Sequence, residues 1–265
     1  TCGDGALTAL DVLTGAVVWR LRDRLRFRTP PAVSADAIYV VSGGAHGVAT
    51  LYSIDPYSGH ARWSRAVTDA SAPCTIEGAP LVGVGSVAVA VRQKSGLGLA
   101  MFRREDGSPA ASPARAVAPS GTSWLAVDGA FIGNAPTGEV VAVDAATGEL
   151  SWRHVLGPRP LEADIPRRLE PVLRCGALFV PCSLVCAPAH AKGGGGAKGH
   201  LSSADSSPAA GVSILRPSDG ALLGSIAPSE VIPDLLRVDE RCDVYVAEDS
   251  GHLAAFGALP RLSLV

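Results

Sequence analysis

One phrase recurs along this chain and restricts its fold more than any other feature. Ala142–Trp152 reads AVDAATGELSW, Ala9–Trp19 reads ALDVLTGAVVW, and Ser53–Trp63 reads SIDPYSGHARW. Each copy sets an Asp, a hydroxyl residue, a Gly and a Trp at the same offsets: Asp11, Gly15 and Trp19; Asp55, Gly59 and Trp63; Asp144, Gly148 and Trp152. An Asp opening a turn accepts from its own downstream amides, and a Gly four residues on supplies the positive φ of a type I turn closed by a bulge. Apolar residues alternate on both sides, so each copy reads as two strands joined by a tight turn. Met101–Ala111 and Leu215–Ser225 keep the turn and lack the Trp.

The turn glycines Gly15, Gly59, Gly107 and Gly148 stand 44, 48 and 41 residues apart, and Gly220 follows after 72. An interval in the forties is that of a four-stranded propeller blade. The expected fold is therefore all-β: a β-propeller of four-stranded antiparallel blades, with about six repeats visible and the terminal ones incomplete. Residues 1–22 supply two outer strands, and whole repeats follow at 28–67, 78–117 and 122–156. A fifth begins near 168, and a sixth holds strands at 235–238, 244–248, 252–256 and 261–265. The outer strand of the third repeat, Ser108–Ala116, carries Pro109 and Pro113, which only a sheet edge tolerates. The long interval contains Ala187–Gly211, rich in Gly, Ser and Ala, expected as a flexible insertion in the fifth repeat. Residues 1–265 are expected to form a single propeller domain, or a section of a longer one.

Composition agrees with many short strands: 18% charged residues, 30 Gly and 20 Pro. A net charge of −2 gives no electrostatic basis for binding nucleic acid or an anionic membrane. The basic run Arg20–Arg28 reads as a solvated outer strand and loop. No window has the run of about 18–20 apolar residues that a membrane helix needs. Cys2, Cys74, Cys175, Cys182, Cys186 and Cys242 are scattered, with no paired framework. Cys175, Cys182 and Cys242 adjoin apolar runs and are expected to act as small hydrophobes.

The Asp, Thr, Gly and Trp spacing at Ala9–Trp19 and Ala142–Trp152 resembles the tryptophan-docking motif of quinoprotein-like (PQQ-like) β-propellers. The resemblance covers nearly the whole chain outside 187–211. It implies one of two roles. Quinone-dependent dehydrogenases of this family hold pyrroloquinoline quinone and Ca²⁺, and often carry adjacent cysteines beside the quinone; this chain has none adjacent. The other branch, similar to outer-membrane-assembly lipoprotein propellers and to sensor propellers, binds polypeptides without catalysis. The resemblance favours a noncatalytic scaffold with other proteins as partners, on the periplasmic or cell-envelope side. The alternatives are a quinone-dependent dehydrogenase and a ligand-sensing domain of a larger signalling protein.

Other candidate chemistry is weak. Cys182, Cys186, His190 and His200 are zinc-type donors, but their spacing is not that of a common finger. Gly193–Gly196 lacks the phosphate-loop spacing, and Ser202–Ser207 lacks a nucleophile elbow. Asp239-Glu240 and Glu248-Asp249 fall at turns, where solvated hairpin ends are the default over an acid–base pair. No catalytic, cofactor-binding or metal residue is assigned. Asp164, Arg168, Asp234 and Arg237 precede or lie within inner strands of adjacent repeats, and are the candidate channel or partner surface.

Overall fold

The computed structural model describes residues 5–22, 27, 29–43, 48–67, 75–93, 96–110, 122–135, 138–156, 170–184, 209–229, 235–247 and 253–257. Among them are twenty strands and no helix. The first sheet pairs β1 (Leu7–Leu10) with β2 (Val17–Leu21). The second runs in order β3 (Ala32–Val33), β4 (Ile38–Gly43), β5 (Ala49–Ile54) and β6 (Ala61–Ala66). The third has β7 (Thr75–Val82), β8 (Ser86–Gln93) and β9 (Gly96–Arg103). The fourth has β10 (Ser123–Val127), β11 (Ala130–Asn134), β12 (Glu139–Asp144) and β13 (Leu150–Val155). The fifth has β14 (Val172–Arg174), β15 (Ala177–Leu184), β16 (Ala209–Leu215) and β17 (Leu222–Ser229). The sixth has β18 (Leu235–Val238), β19 (Val244–Ala247) and β20 (Leu253–Phe256). Neighbours in sequence are neighbours in each sheet, so every blade is an antiparallel meander.

The chain divides into two compact units, Thr1–Ala135 with Val141–Trp152, and Pro136–Val140 with Arg153–Val265. In the first unit the alternation along a strand explains the stacking. Tyr39 and Val41 of β4 point one way, into a cluster with Val87, Val89, Val91 and Phe102 of the third sheet. Val40 points the other way, onto Leu7, Phe27 and Ile54, with Trp19 beside them. A central strand between two neighbouring sheets is thus buried on both faces, and a near-continuous apolar run such as IYVV is what such a strand requires. The far face of the third sheet, through Leu97, Leu99 and Met101, packs on Phe131, Val143 and Ala145 of the fourth. In the second unit, Phe179, Val212 and Ile214 of the fifth sheet pack on Leu236, Val244 and Val246 of the sixth. The outer strands are half exposed; in β6 only Trp63 is buried.

The structure departs from the sequence expectations in three places. β7 begins at Thr75, three residues before the expected start of the third repeat at 78, because Gly78 at φ 76° and a register shift between Glu77 and Leu81 let the strand bend and continue. β16 takes in Ala209–Gly211, expected as loop: these small residues pair through their backbones with Cys182–Leu184. Residues 187–208 of the expected insertion lie outside the described residues. Of the expected outer strand of the third repeat, Ser108–Ala110 are described, and they pair with β9 through a Phe102–Pro109 bridge and a bond from the Ala110 amide to the Met101 carbonyl; residues 111–116 lie outside the described residues, as do 261–265. Finally, Cys175 and Cys242 form a disulfide, where no pair was expected.

Candidate functional site

The recurring turn is the part of the molecule with the most conspicuous chemistry. Asp11 Oδ1 accepts from the Leu13 amide at 3.1 Å, the Thr14 amide at 2.7 Å and the Thr14 hydroxyl at 2.8 Å. Asp55 does the same with Tyr57 and Ser58, and Asp144 with Ala146 and Thr147. Gly15, Gly59 and Gly148 adopt φ of 71–74°. Their amides return to the carbonyls of Asp11, Asp55 and Asp144 at 2.8–2.9 Å. The eroded copies keep this backbone and move the acid. Gly107 bonds back to the Arg103 carbonyl and Gly220 to the Arg216 carbonyl, while Asp106 and Asp219, just before each glycine, accept from Ser108 and Ala221. The carboxylates are held below the ordinary Asp range by these donors. Thr14 dominates for Asp11 and Thr147 for Asp144, while the Arg62 guanidinium, at 2.7 Å, dominates for Asp55.

Three of these turns also receive a side chain from the sheet before them. The Trp19 indole N–H donates to the Pro56 carbonyl at 2.8 Å, and a Cβ on Gly59 would stand 2.7 Å from the Trp19 ring. The Trp63 indole donates to the Arg104 carbonyl at 3.0 Å, and a Cβ on Gly107 would stand 2.6 Å from its ring. The seat is therefore a carbonyl just after the first turn residue, plus a glycine face that only a missing side chain leaves open. The third repeat has Ala111 where Trp would stand. There, Ser86 Oγ of the third sheet supplies the donor instead, reaching the Ala145 carbonyl at 2.6 Å. Trp152 is half-buried on β13.

Arg104 gathers the second and third sheets. Its guanidinium donates to the Gly83 and Val84 carbonyls at 3.0 Å, to the Tyr39 and Ser34 hydroxyls at 3.3 Å, and to the Asp36 carboxylate. Sequence reasoning missed this residue. Its signal was an Arg standing where whole copies place Val12, Pro56 and Ala145. The disulfide joins Cys175, in the two-residue turn between β14 and β15, to Cys242, in the turn between β18 and β19. Cys175 occupies the place of Asp128 in the corresponding turn of the fourth sheet, so two cysteines at equivalent turns of successive repeats were the readable sign.

Of the candidate channel residues, Arg237 is exposed on β18, and its guanidinium donates to the Leu236 carbonyl at 3.2 Å. Asp164, Arg168 and Asp234 lie outside the described residues, as do Cys186, His190 and His200; Cys182 lies on β15. Among the described residues no three His, Cys, Asp or Glu side chains cluster as metal ligands. Asp239 accepts from the Arg241 and Asp243 amides at 2.9 Å, as a turn residue does. Asp11, Asp55 and Asp144 each have Oδ1 engaged by their own turn, Asp55 Oδ2 accepts from Arg62, and the sequence has no adjacent cysteines.

Meandering antiparallel sheets stacked face to face, with repeated indole-seating turns, are the blades of an all-β propeller fold. Residues 1–125 match the family described as "Outer membrane protein assembly factor BamB". Over 201 residues the chain is 26% identical to the protein of that name from Bordetella pertussis, covering 71% of this chain and 45% of the relative. The chain thus spans less than half the length of that curated relative. Its fold is similar to the crystal structure of BamB from Moraxella catarrhalis, with TM-score 0.58, 20% identity, and coverage of 97% of this chain and 65% of the other. It is also similar to a quinohemoprotein alcohol dehydrogenase from Pseudomonas putida, with TM-score 0.50, 16% identity, and coverage of 89% and 41%. A europium-containing methanol dehydrogenase gives TM-score 0.51, 14% identity, and coverage of 88% and 49%. The enzyme likenesses show the fold alone.

Proposed function

We propose that this chain is a noncatalytic scaffold of the cell envelope, binding other polypeptides during assembly of outer-membrane proteins. The observation that carries the reading is the sequence likeness to the Bordetella assembly factor, joined to a repeat whose acidic residues serve turns rather than chemistry. The outer strands β2, β13 and β17 stand at sheet edges and expose Val17 and Val18, Leu150 and Val155, and Leu222. Apolar side chains on an edge strand suit a partner that adds a strand of its own. The Cys175–Cys242 disulfide suits an oxidising compartment, which the envelope outside the cytoplasmic membrane provides.

Photo-crosslinking residues at Val17, Val155 and Leu222, in cells, test the reading. Adducts to a defined polypeptide are expected at these strands. Incubation with pyrroloquinoline quinone and Ca²⁺ is expected to leave no quinone absorbance in the protein fraction. Stoichiometric quinone without polypeptide adducts overturns the scaffold in favour of the dehydrogenase.

A further inference from the structure

The fifth and sixth sheets already share an apolar core, in which Phe179, Val212 and Ile214 meet Leu236, Val244 and Val246. The Cys175–Cys242 disulfide is a second joint between them, set at the β14–β15 and β18–β19 turns. Cys175 is exposed and Cys242 half-buried, so a thiol in solution reaches the bond with the sheets in place. Both cysteines take a left-handed backbone, at φ 54° and 69°, and they are the only non-glycine residues to do so among those described. An L side chain adopts that region only under strain. The corresponding β10–β11 turn avoids it by placing the positive φ on Gly129. In the β14–β15 turn Cys175 and Gly176 are both left-handed, between the paired Arg174 and Ala177, a pattern that ordinarily takes Asn, Asp or Gly first. Backbone strain gathers at sites that switch, and exposed disulfides are the labile ones.

We propose that Cys175–Cys242 is a reversible redox site, opened in the folded protein by a dithiol reductant, and that it sets how firmly the sixth sheet is held to the fifth. One thiolate of the dithiol attacks Sγ of Cys175, the exposed partner. The bond to Cys242 breaks, and Cys242 leaves with the electron pair and takes a proton. The second thiolate of the dithiol then attacks the first sulfur, forming the reductant's own disulfide and releasing Cys175, which takes the second proton. Two electrons thus pass from the dithiol to the two cysteines. Arg174 precedes Cys175 and that turn holds no acid, which favours the approach of an anionic sulfur and the final departure of the Cys175 thiolate. The Cys242 turn sets Arg241 against Asp239, Glu240 and Asp243, so access rather than charge directs the first attack to Cys175. Both cysteines belong to one compact unit, and the inference stands whether or not the chain is a scaffold.

The test times reduction of the purified protein by dithiothreitol at pH 7, with free thiols trapped by alkylation and assigned by peptide mass spectrometry. Attack on the folded protein predicts a rate within about tenfold of that in concentrated urea, and no rise as urea is added below the unfolding transition. Reduced glutathione in place of the dithiol should leave its mixed disulfide on Cys175. The β-sheet circular dichroism should persist on reduction, oxidised glutathione should close the bond again, and amide exchange in β18–β20 should quicken at least about tenfold in the reduced form. Reduction that rises with urea in step with global unfolding overturns the proposal, since the bond is then a staple cut only in the unfolded chain. Loss of the sheet spectrum on reduction, failure to reclose, or unchanged exchange in β18–β20 equally overturns it.

Discussion

At the scale of single residues, the turn glycines do two jobs, and the seats separate them. Gly15, Gly59 and Gly107 share a positive φ, which an L side chain adopts only under strain. Gly15→Ala meets that strain alone, expected at about 1 kcal/mol in the 265-residue chain. Gly59→Ala adds a Cβ 2.7 Å from the Trp19 ring, which must shift or lose its bond to Pro56, so a cost of about 2–4 kcal/mol is expected. Chemical denaturation of the two variants measures the difference, and equal losses would mean that Gly59 serves backbone conformation only. The turn aspartates make a second prediction. Their folded carboxyls lie below the ordinary range of about 3.9. A lowered folded value means stability held above the unfolded value and lost as pH falls through the folded one. Melting temperature should therefore decline below about pH 4. Asp55→Asn and Asp144→Asn should lower stability at pH 7 and flatten that acid limb, which calorimetry at pH 7, 5 and 3 would show.

At the scale of elements, legibility in the sequence tracks how local the cause is. The hairpins were legible because Asp, Gly and Trp act within a few residues of one another; β1 and β2 follow from Ala9–Trp19 alone. The central strands β4, β8 and β12 were legible because burial on both faces demands an unbroken apolar run. The early start of β7 was not, since Glu77 is a buried carboxylate there, held by Arg92 across the strand pair. A charged residue reads as loop until its partner is known. Ala209–Gly211 escaped because backbone pairing needs no side-chain signature. Long-range chemistry escaped altogether: Arg104 meets Asp36 across 68 residues, and Cys175 meets Cys242 across 67. That disulfide fastens the sixth sheet, which has three described strands, to the fifth, which has four. Closing so long a loop should stabilise by about 2–4 kcal/mol. Reduction, or Cys242→Ser, should lower the melting temperature and raise amide exchange first in β18–β20. Exchange that rises equally in β4 and β8 would show that the disulfide acts on more than its own pair of sheets.

At the scale of the molecule, a stack of sheets stabilises each member through its neighbours, so a residue in one sheet can carry the stability of two. Trp63 is the strongest instance: it belongs to β6, its ring lies 6.0 Å from Tyr39, and its indole N–H is bonded on the turn of the third sheet. Trp63→Ala should cost about 3–5 kcal/mol, because both the buried ring and the covered glycine face are lost. Trp63→Phe keeps most of the ring and gives up the bond to Arg104, for about 1 kcal/mol. The informative readout is spatial. Hydrogen exchange in Trp63→Ala should quicken in β9 and the Arg103–Gly107 turn as well as in β6, since the partner sheet loses the side chain that covers it. Quickening confined to β6 would mean that the indole serves its own strand, and that the repeated turns are copies in sequence without being joints between sheets.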